Sequence, residues 1–322
     1  MVPSDYPQFP LPINMPQQNE QSIALHGVSK SFRKHVAVSE LDLFVPRGSV
    51  YGFIGPNGSG KTTTLRMIMN ILYPDSGDIR VLGEQLSPRI ADRIGYMPEE
   101  RGLYKRMKVR DFLVFFAGLK NGKDVKASVD AWLERLDLTG WADKKIETLS
   151  KGMSQKVQFI ATVVSRPELI ILDEPFSGLD PVNTDVIREA ILQLQSDGTT
   201  VVFSTHDMSM AERMCDFICM IFKGKKVLDG TLASIQDEYA SDTIRVQTAD
   251  GRRVVEELEG VEHINDFGRQ QELRVRDDAD PQRILRQIME RSAVQRFDIV
   301  KPSLHDIFVR IAGPASREVE HA

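Results

Sequence analysis

The sequence lacks the usual features of a secreted, membrane-spanning or nucleic-acid-binding protein. Its 322 residues include two cysteines, Cys215 and Cys219, and they do not form a CxxC motif. We expect two ordinary buried thiols in a reducing compartment, rather than a disulfide or a metal site. No apolar run approaches the roughly 18 residues of a membrane-spanning helix, so we expect no segment to cross a bilayer. The net charge of -5 argues against nucleic acid as the main partner.

The N-terminus lacks both the basic start and the apolar middle of a signal peptide. Prolines stand instead at positions 3, 7, 10, 12 and 16. Proline disrupts helices and central strands, because it fixes the backbone and has no N–H donor. Residues 1–20 are therefore predicted to be a flexible tail.

Strands alternate with helices after this tail, which predicts an α/β core with a mostly parallel sheet. A β-rich start covers 22–54. The apolar segments ELIILDEP (168–175) and TTVVFSTH (199–206) are typical of buried parallel strands. Between them, Asp180 and Pro181 form a typical helix start, with Asp as the N-cap and Pro at the first helical position.

Three further regions complete the predicted organisation. The run KTTTLRMIMNILY (61–73) is interpreted as a helix closed by a proline, and 76–96 as short strands. A mostly helical stretch over about 97–165 is interpreted as an insertion between two core strands. The composition changes near residue 236, where the pattern β-α-β-β-α-β with a final helix predicts a small α+β domain. The predicted domains are thus 21–235 and 236–322.

A glycine-rich loop, GPNGSGKTTT at 55–64, fits the pattern GxxxxGK[ST] in full. Its glycines let backbone N–H groups surround phosphate oxygens, Lys61 supplies a positive charge to the β and γ phosphates, and the Thr62 hydroxyl is suited to Mg²⁺. The following helix directs its positive end at the same anion. The alternative is a chance match in a turn, and the strand before and helix after the loop argue against it. The predicted nucleotide-binding residues of this loop are Gly55, Pro56, Asn57, Gly58, Ser59, Gly60, Lys61, Thr62 and Thr63.

Two carboxylates end the strand LIILDEP. Beside a phosphate loop, Asp173 is expected to hold Mg²⁺ and Glu174 to accept a proton from the attacking water. Phosphoryl transfer depends on positioning and charge neutralisation, to which Lys61 also contributes. His206 ends the next strand, at the same sheet edge, and is expected to contact the γ-phosphate or hold the water. For the carboxylates and for His206 the alternative is a purely structural role.

A second possible anion site is LSKGMSQ (149–155), where Ser150 and Gly152 precede an amphipathic helix. On these residues alone, Ser150 is more simply a helix N-cap. In a βα layer, the start of this helix faces the edge of the sheet where phosphates bind. The site is then open to the nucleotide of its own chain or to that of another chain.

The order of these motifs resembles the nucleotide-binding subunit of an ABC transporter. GPNGSGKTTT, LSKGM, LIILDEP, SGLD (177–180) and His206 follow one another as in that family, over about residues 21–235. LSKGM stands where the family has its signature, usually LSGGQ, so that Lys151 replaces a glycine. Phe32 stands where the family has an aromatic residue that stacks on adenine. The resemblance implies that the chain binds ATP with Mg²⁺ and hydrolyses it.

The resemblance also implies where LSKGM acts. In ABC ATPases the signature helix faces the γ-phosphate bound to the opposite subunit, so two chains enclose two ATP molecules. Ser150, Lys151 and Gly152 would then act on the nucleotide of a second copy or a related subunit, with Asp180 of SGLD nearby. ATP binding closes the dimer, and hydrolysis reopens it. A separately encoded membrane permease converts that motion into transport, with this subunit at the cytoplasmic face.

One position departs from the family pattern. Where the family has a glutamine that touches Mg²⁺, the segment IGYMPEERGLY places Glu99, which is still suited to the metal. PEERGLY and the ending KPSLHDIFVRIAG (301–313) resemble exporters of the sodium-extrusion type. The helical insertion is expected to contact the permease near Glu99–Tyr104, so reversing the charges of Arg101 and Lys105 is expected to weaken that contact.

Two other function classes are compatible with parts of this sequence. A soluble ABC-type ATPase acting on ribosomes or DNA is the main alternative. Such proteins usually carry two ATPase units or long coiled coils, whereas this chain has one unit, no sustained heptads and an acidic balance. A phosphate-loop kinase is the other alternative, but LSKGM and SGLD have no place in its chemistry.

Overall fold

The computed structural model describes residues 21–85, 87–100, 102–120, 125–239, 243–276 and 278–317, without the side chains of 314–317. The predicted tail at 1–20 lies outside the described residues, and so does Arg101. The chain divides into two compact units between Thr231 and Leu232. The predicted domain boundary at 235–236 lies close to this division and stays a prediction.

The first unit contains two sheets. Its strands are β1 (Gln21–Phe32), β2 (His35–Pro46), β3 (Val50–Ile54), β4 (Ser76–Val81), β5 (Ile94–Met97), β6 (Leu169–Asp173), β7 (Thr200–Thr205), β8 (Phe217–Phe222) and β9 (Lys225–Gly230). The larger sheet has the order β5-β6-β7-β3-β8-β9, with β9 antiparallel and the other strands parallel. The smaller sheet, β2-β1-β4, is antiparallel. The predicted mostly parallel sheet with an antiparallel β part is confirmed.

The central strands are the most apolar, and they bring the motifs together. Every residue of β3, β6 and β7 is buried, as expected for strands covered on both faces. Because these strands are parallel neighbours, their carboxyl ends meet at one edge of the sheet. The register pairs Asp173 with Ser204 and Ile54 with Thr205. The phosphate loop and the two carboxylates therefore start from adjacent strand ends.

Helices cover the sheet and form the insertion between β5 and β6. The helices of the first unit are α1 (Lys61–Ile68), α2 (Pro88–Ala91), α3 (Val109–Leu119), α4 (Val125–Arg135), α5 (Lys151–Val163), α6 (Pro181–Ser196) and α7 (Met208–Met214). In the insertion, α3 buries Val109, Phe112, Leu113 and Ala117 at the spacing of one helix face. The predicted helical insertion is thus present. In the described part of the chain no helix has the length and apolarity to cross a membrane.

Two details of the first unit differ from the prediction. Helix α1 ends at Ile68, well before Tyr73, because Asn70 adopts a left-handed conformation with φ 53° that interrupts the helix. The region predicted as short strands also contains the one-turn helix α2, which Ser87 caps by accepting a hydrogen bond from the Ile90 N–H. Both errors concern local backbone turns that a pattern of apolar residues does not encode.

The second unit is an α+β structure with its own apolar core. Its elements are α8 (Leu232–Glu238), β10 (Thr243–Thr248), β11 (Val261–Asp266), β12 (Gln271–Val275), α9 (Pro281–Arg291), β13 (Val294–Ile299) and α10 (Leu304–Arg317). The strands form an antiparallel sheet with the order β11-β12-β10-β13. The first helix of the predicted β-α-β-β-α-β pattern corresponds to the segment RRVVEELEG, which forms only a 3₁₀ turn at Gly251–Val254. Glu257, with φ 58°, stops a longer helix there.

Candidate functional site

The phosphate loop connects β3 to α1 and takes its shape from two glycines. Gly55 and Gly60 have φ values of 151° and 112°, which favour glycine. A Cβ atom on Gly55 would lie 2.2 Å from the carbonyl oxygen of Ile221, and one on Gly60 would lie 2.4 Å from that of Ala37. Side chains at these positions would therefore collide with backbone, so the loop geometry depends on glycine.

Lys61 begins α1 and is buried. Its ammonium donates hydrogen bonds to the carbonyl oxygens of Gly55 and Pro56, at 2.7 and 3.1 Å. Burial lowers the pKa of Lys61, and the nearby carboxylates of Glu174, Asp173 and Glu99 oppose that shift. The loop thus encloses a cation that faces three acidic side chains.

Asp173, at the end of β6, is buried at 1% exposure. One carboxylate oxygen, Oδ1, accepts hydrogen bonds from the Ser204 hydroxyl and, at 3.3 Å, from the Thr62 hydroxyl. The other oxygen, Oδ2, has no hydrogen-bond partner among the described atoms. A buried carboxylate oxygen without a partner is costly, so this atom is suited to receive a cation.

Glu174 follows on a strained turn, with φ 49°. Its backbone N–H is held by the carbonyl and hydroxyl oxygens of Ser204, at 3.1 and 3.2 Å. Its carboxylate lies 2.8 Å from Nδ1 of His206 and accepts a longer bond of 3.4 Å from Thr205. The strain and the bonds together fix the direction of this carboxylate.

These groups line one cleft of about 340 Å³. Its lining residues are Phe32, His35, Ala37, Asn57, Gly58, Gly60, Lys61, Thr62, Thr63, Glu99, Asp173 and Glu174. The Phe32 ring is 46% exposed at one side of the cleft, with the Lys30 ammonium 5.8 Å from its centroid. The cleft therefore places an aromatic surface, a glycine-rich loop and two strand-end carboxylates around one space.

Glu99 also lines the cleft, but its side chain is exposed. Gln158 of α5 fixes the adjoining backbone by donating a 2.7 Å hydrogen bond to the Pro98 carbonyl oxygen. Within the described ranges, no group of three or more His, Cys, Asp or Glu side chains is arranged to hold a metal ion by itself. A cation here would thus rely on few protein ligands.

Two of the predicted segments lie apart from this cleft. Ser150 caps α5 by accepting a 3.2 Å hydrogen bond from the Met153 N–H, and Ser150, Lys151 and Gly152 are not among the cleft-lining residues. Asp180 caps α6, and hydrogen bonds from Asn183 lower its pKa. The chain thus does not present LSKGM or Asp180 to its own phosphate loop.

Sequence reasoning missed several groups around the carboxylates. Ser204 and Thr205 hold Asp173 and Glu174, and His35 lines the cleft. The first two directly precede His206 at the end of a buried strand. The rule that parallel strands expose their carboxyl ends at one edge would have identified them. His35 carries no such signal.

Comparison with known proteins agrees with this geometry. Residues 38–177 match the model of the family "ABC transporter", and residues 230–312 match "ATP-binding protein DrrA1-3-like, C-terminal domain". The uncharacterized ABC transporter ATP-binding protein YhaQ of Bacillus subtilis is 39% identical, over 90% of this chain and 98% of its own. The Nod factor export ATP-binding protein I of a Rhizobium species is 32% identical, over 93% and 98%.

A solved structure of an ATP-binding subunit of an ABC transporter has a TM-score of 0.63 at 27% identity, covering 67% of this chain and 92% of that one. The fold and the cleft define a phosphate-loop nucleotide-binding protein. The family match and the relatives show which family this is: the chain belongs to the ABC transporter ATP-binding proteins.

The predicted resemblance, fold class and enzyme class are therefore confirmed. The protein is an ATP-binding subunit of an ABC transporter, from a family that hydrolyses ATP and has exporters among its members. Such subunits are peripheral to the membrane and work with membrane permease subunits. The alternative role on ribosomes or DNA finds no support among these proteins.

Proposed function

We propose that this protein powers export through a separately encoded permease, by ATP-driven closure of a dimer at the cytoplasmic face of the membrane. The geometry of Glu174 carries the proposal, since a fixed carboxylate stands between a histidine and a buried aspartate at the mouth of the phosphate loop. Support for export comes from the 32% identity to a protein named for Nod factor export.

The phosphate loop holds the β and γ phosphates of ATP. The loop residues that line the cleft, between Asn57 and Thr63, contact the nucleotide. The other loop residues, which do not line the cleft, keep the loop in shape: Gly55, Pro56 and Ser59. On binding, Lys61 exchanges its bonds to loop carbonyl oxygens for phosphate oxygens, because a charged partner forms stronger hydrogen bonds than a carbonyl does. Phe32 stacks on the adenine, for which its exposed ring is placed.

The residues around Asp173 fit Mg²⁺. The unpartnered Oδ2 of Asp173 would hold the ion, together with the Thr62 hydroxyl, which bonds the other oxygen of the same carboxylate. Mg²⁺ is commonly held by one or two protein oxygens, phosphates and water. Glu99, which also lines the cleft, would be a further oxygen ligand. When bound, the ion neutralises charge on the phosphates.

Glu174 accepts a proton from the attacking water, and His206 orients it. The histidine lies 2.8 Å from the carboxylate, within hydrogen-bond distance, so it fixes the direction in which Glu174 faces the water.

The helix start at LSKGM serves the nucleotide of a second copy or of a related subunit. Ser150 and Gly152 stand at the N-terminus of α5, which favours anions, yet they lie outside the cleft of their own chain. A phosphate supplied by another chain accounts for both observations.

The permease docks beside the insertion. A mostly apolar groove of about 360 Å³ is lined by Pro98, Gly102, Leu103, Phe112, Phe116 and Leu119, among others. Tyr104 next to it is 55% exposed and contacts Phe112, with ring centroids 6.1 Å apart. Tyr104 also contacts Phe115, which is 47% exposed, and these two exposed rings form an aromatic cluster close in the chain to Glu99. Such a surface suits a protein partner that must respond to nucleotide.

The test is the oligomeric state of Glu174→Gln, measured by size-exclusion chromatography with light scattering, with and without Mg-ATP. The variant keeps ATP binding but loses the base, so turnover should fall roughly 100- to 10,000-fold. Closed dimers should then accumulate only with ATP.

Glu134→Gln, an exposed carboxylate on α4, is the control and should hydrolyse ATP normally. Near-normal turnover of Glu174→Gln would remove the residue from the base role. A monomer at all ATP concentrations, with ATP bound, would contradict the placement of LSKGM against a second chain.

A further inference from the structure

The lysine in LSKGM makes an unusual contact. Lys151 is the first residue of α5 and is exposed, and its side chain forms no hydrogen bond or ion pair with any residue that the structure describes. Its side chain lies instead over Gly178 of SGLD. A Cβ atom built on Gly178 would lie 2.3 Å from the lysine Nζ and 2.4 Å from its Cε. The lysine therefore occupies the space that a side chain at position 178 would need.

This contact belongs to a longer seam between α5 and the segment 175–183. The position of a Cβ on Gly152 is 3.5 Å from a methyl carbon of Leu179 and 3.6 Å from the amide nitrogen of Asn183. One turn further, the Gln155 side chain donates a 3.0 Å hydrogen bond to the Pro175 carbonyl oxygen. The first turns of α5 thus contact this segment along its length.

The seam connects two groups of the proposed mechanism. The segment starts directly after Glu174, whose carboxylate faces His206, and it includes Asp180, the N-cap of α6. Between them, Gly178 has a φ of 71°, which gives the turn its shape. A shift of this segment would move the backbone next to Glu174.

An exposed lysine that is held over a glycine loses side-chain conformational entropy, and no ion pair compensates for that loss. We propose that Lys151 is a positioning residue that secures the SGLD segment against α5 until a phosphate reaches the helix N-terminus. This rests on the proposed function, in which a second copy presents its nucleotide to Ser150 and Gly152. The phosphate attracts the ammonium away from Gly178, because opposite charges in a closed interface interact strongly. The segment beside Glu174 is then released, so ATP in one site changes the other.

A double-mutant cycle tests this coupling. ATP hydrolysis is measured against ATP concentration for the wild type, Lys151→Ala, Gly178→Ala, the double variant and Lys151→Arg. Alanine at 178 pushes the flexible end of the lysine aside and adds backbone strain. Gly48→Ala controls for strain alone, since Gly48 has a φ of 67° and no atom within 4 Å of its Cβ position.

We expect each single substitution to bring the Hill coefficient toward one and to shift the half-saturating ATP concentration about fivefold, within the range by which contacting residues couple. The double variant should differ from the wild type in ATP hydrolysis by no more than Gly178→Ala does. Gly48→Ala and Lys151→Arg should keep the cooperativity of the wild type. The inference would be overturned if the effects of the two single substitutions multiply in the double variant. It would also be overturned by a wild-type Hill coefficient of one, or by unchanged cooperativity in Lys151→Ala. Thermal melting checks that each variant is folded.

Combining these substitutions with Glu174→Gln separates the two proposals. If Glu174→Gln with Lys151 intact forms no ATP-dependent dimer, the proposed function fails. If it dimerises and the cycle shows no coupling, the inference about Lys151 alone is wrong.

Discussion

The two units of the chain differ in how their buried charged side chains are paired. The first unit buries Lys61, Asp173 and Glu174 at one sheet edge, and one oxygen of Asp173 has no partner among the described atoms. In the second unit the buried carboxylate of Glu272 is paired with Arg245, at 3.0 Å from its Nε. Burying charge is costly unless it is paired.

The comparison shows where function is concentrated. A charge that is buried and only partly satisfied must be kept for another reason, and binding a charged ligand is one. The second unit has an apolar core of strands and helices, including Ile244, Leu273, Ile284 and Ile288, and its charged pairs lie mostly at the surface. Among its described residues, no charged side-chain atom is buried without a partner.

The largest effect on ATP binding is expected in the first unit, at Lys61. Lys61→Ala should reduce ATP affinity roughly 10- to 100-fold, because charged hydrogen bonds to phosphate are lost. Titration with a fluorescent ATP analogue measures this change. Lys144→Ala, at an exposed lysine of the same unit, is the control. Unchanged affinity in Lys61→Ala would contradict the assignment of the phosphate loop.

In the second unit the expected effect is on local stability and not on ATP binding. Ile284 is 1% exposed in its core, so Ile284→Ala should cost ~2–5 kcal/mol of local stability and leave ATP affinity unchanged. Hydrogen exchange of the full chain should become faster in the second unit, in α9 itself and in the strands of the same core, and stay unchanged in the first unit. Met289→Ala, on the same helix but 62% exposed, should leave exchange as it is. Reduced ATP affinity in Ile284→Ala would show that the units are not separate in function.

The smallest effect concerns the permease contact. Lys105 is exposed beside the aromatic cluster, so Lys105→Glu should weaken co-purification with the permease about two- to fivefold, as expected for a charge at the rim of an interface. ATP binding should be unchanged. The control is Lys126→Glu, an exposed lysine on α4. Equal co-purification of both variants would place the contact elsewhere.

The sequence alone determined the phosphate loop, the order of the motifs and the central strands. These features depend on local chemistry: glycines that permit one backbone shape, an apolar run that must be buried, and carboxylates at the end of that run. The family followed from that order. The end of α1 at Ile68 and the 3₁₀ turn at Gly251–Val254 did not, because single left-handed residues decide them.

Only the tertiary structure decided which distant groups meet. Ser204 supports Asp173 across two parallel strands, and Lys151 lies over Gly178 where a helix and a turn pack together. The sequence indicates that Ser204 and Asp173 lie at the same edge of the sheet, but it gives neither the strand register that joins them nor the packing of α5 against the turn. The register also explains why Glu174 meets His206: a buried parallel sheet aligns its strand ends, and charges that follow those ends must converge.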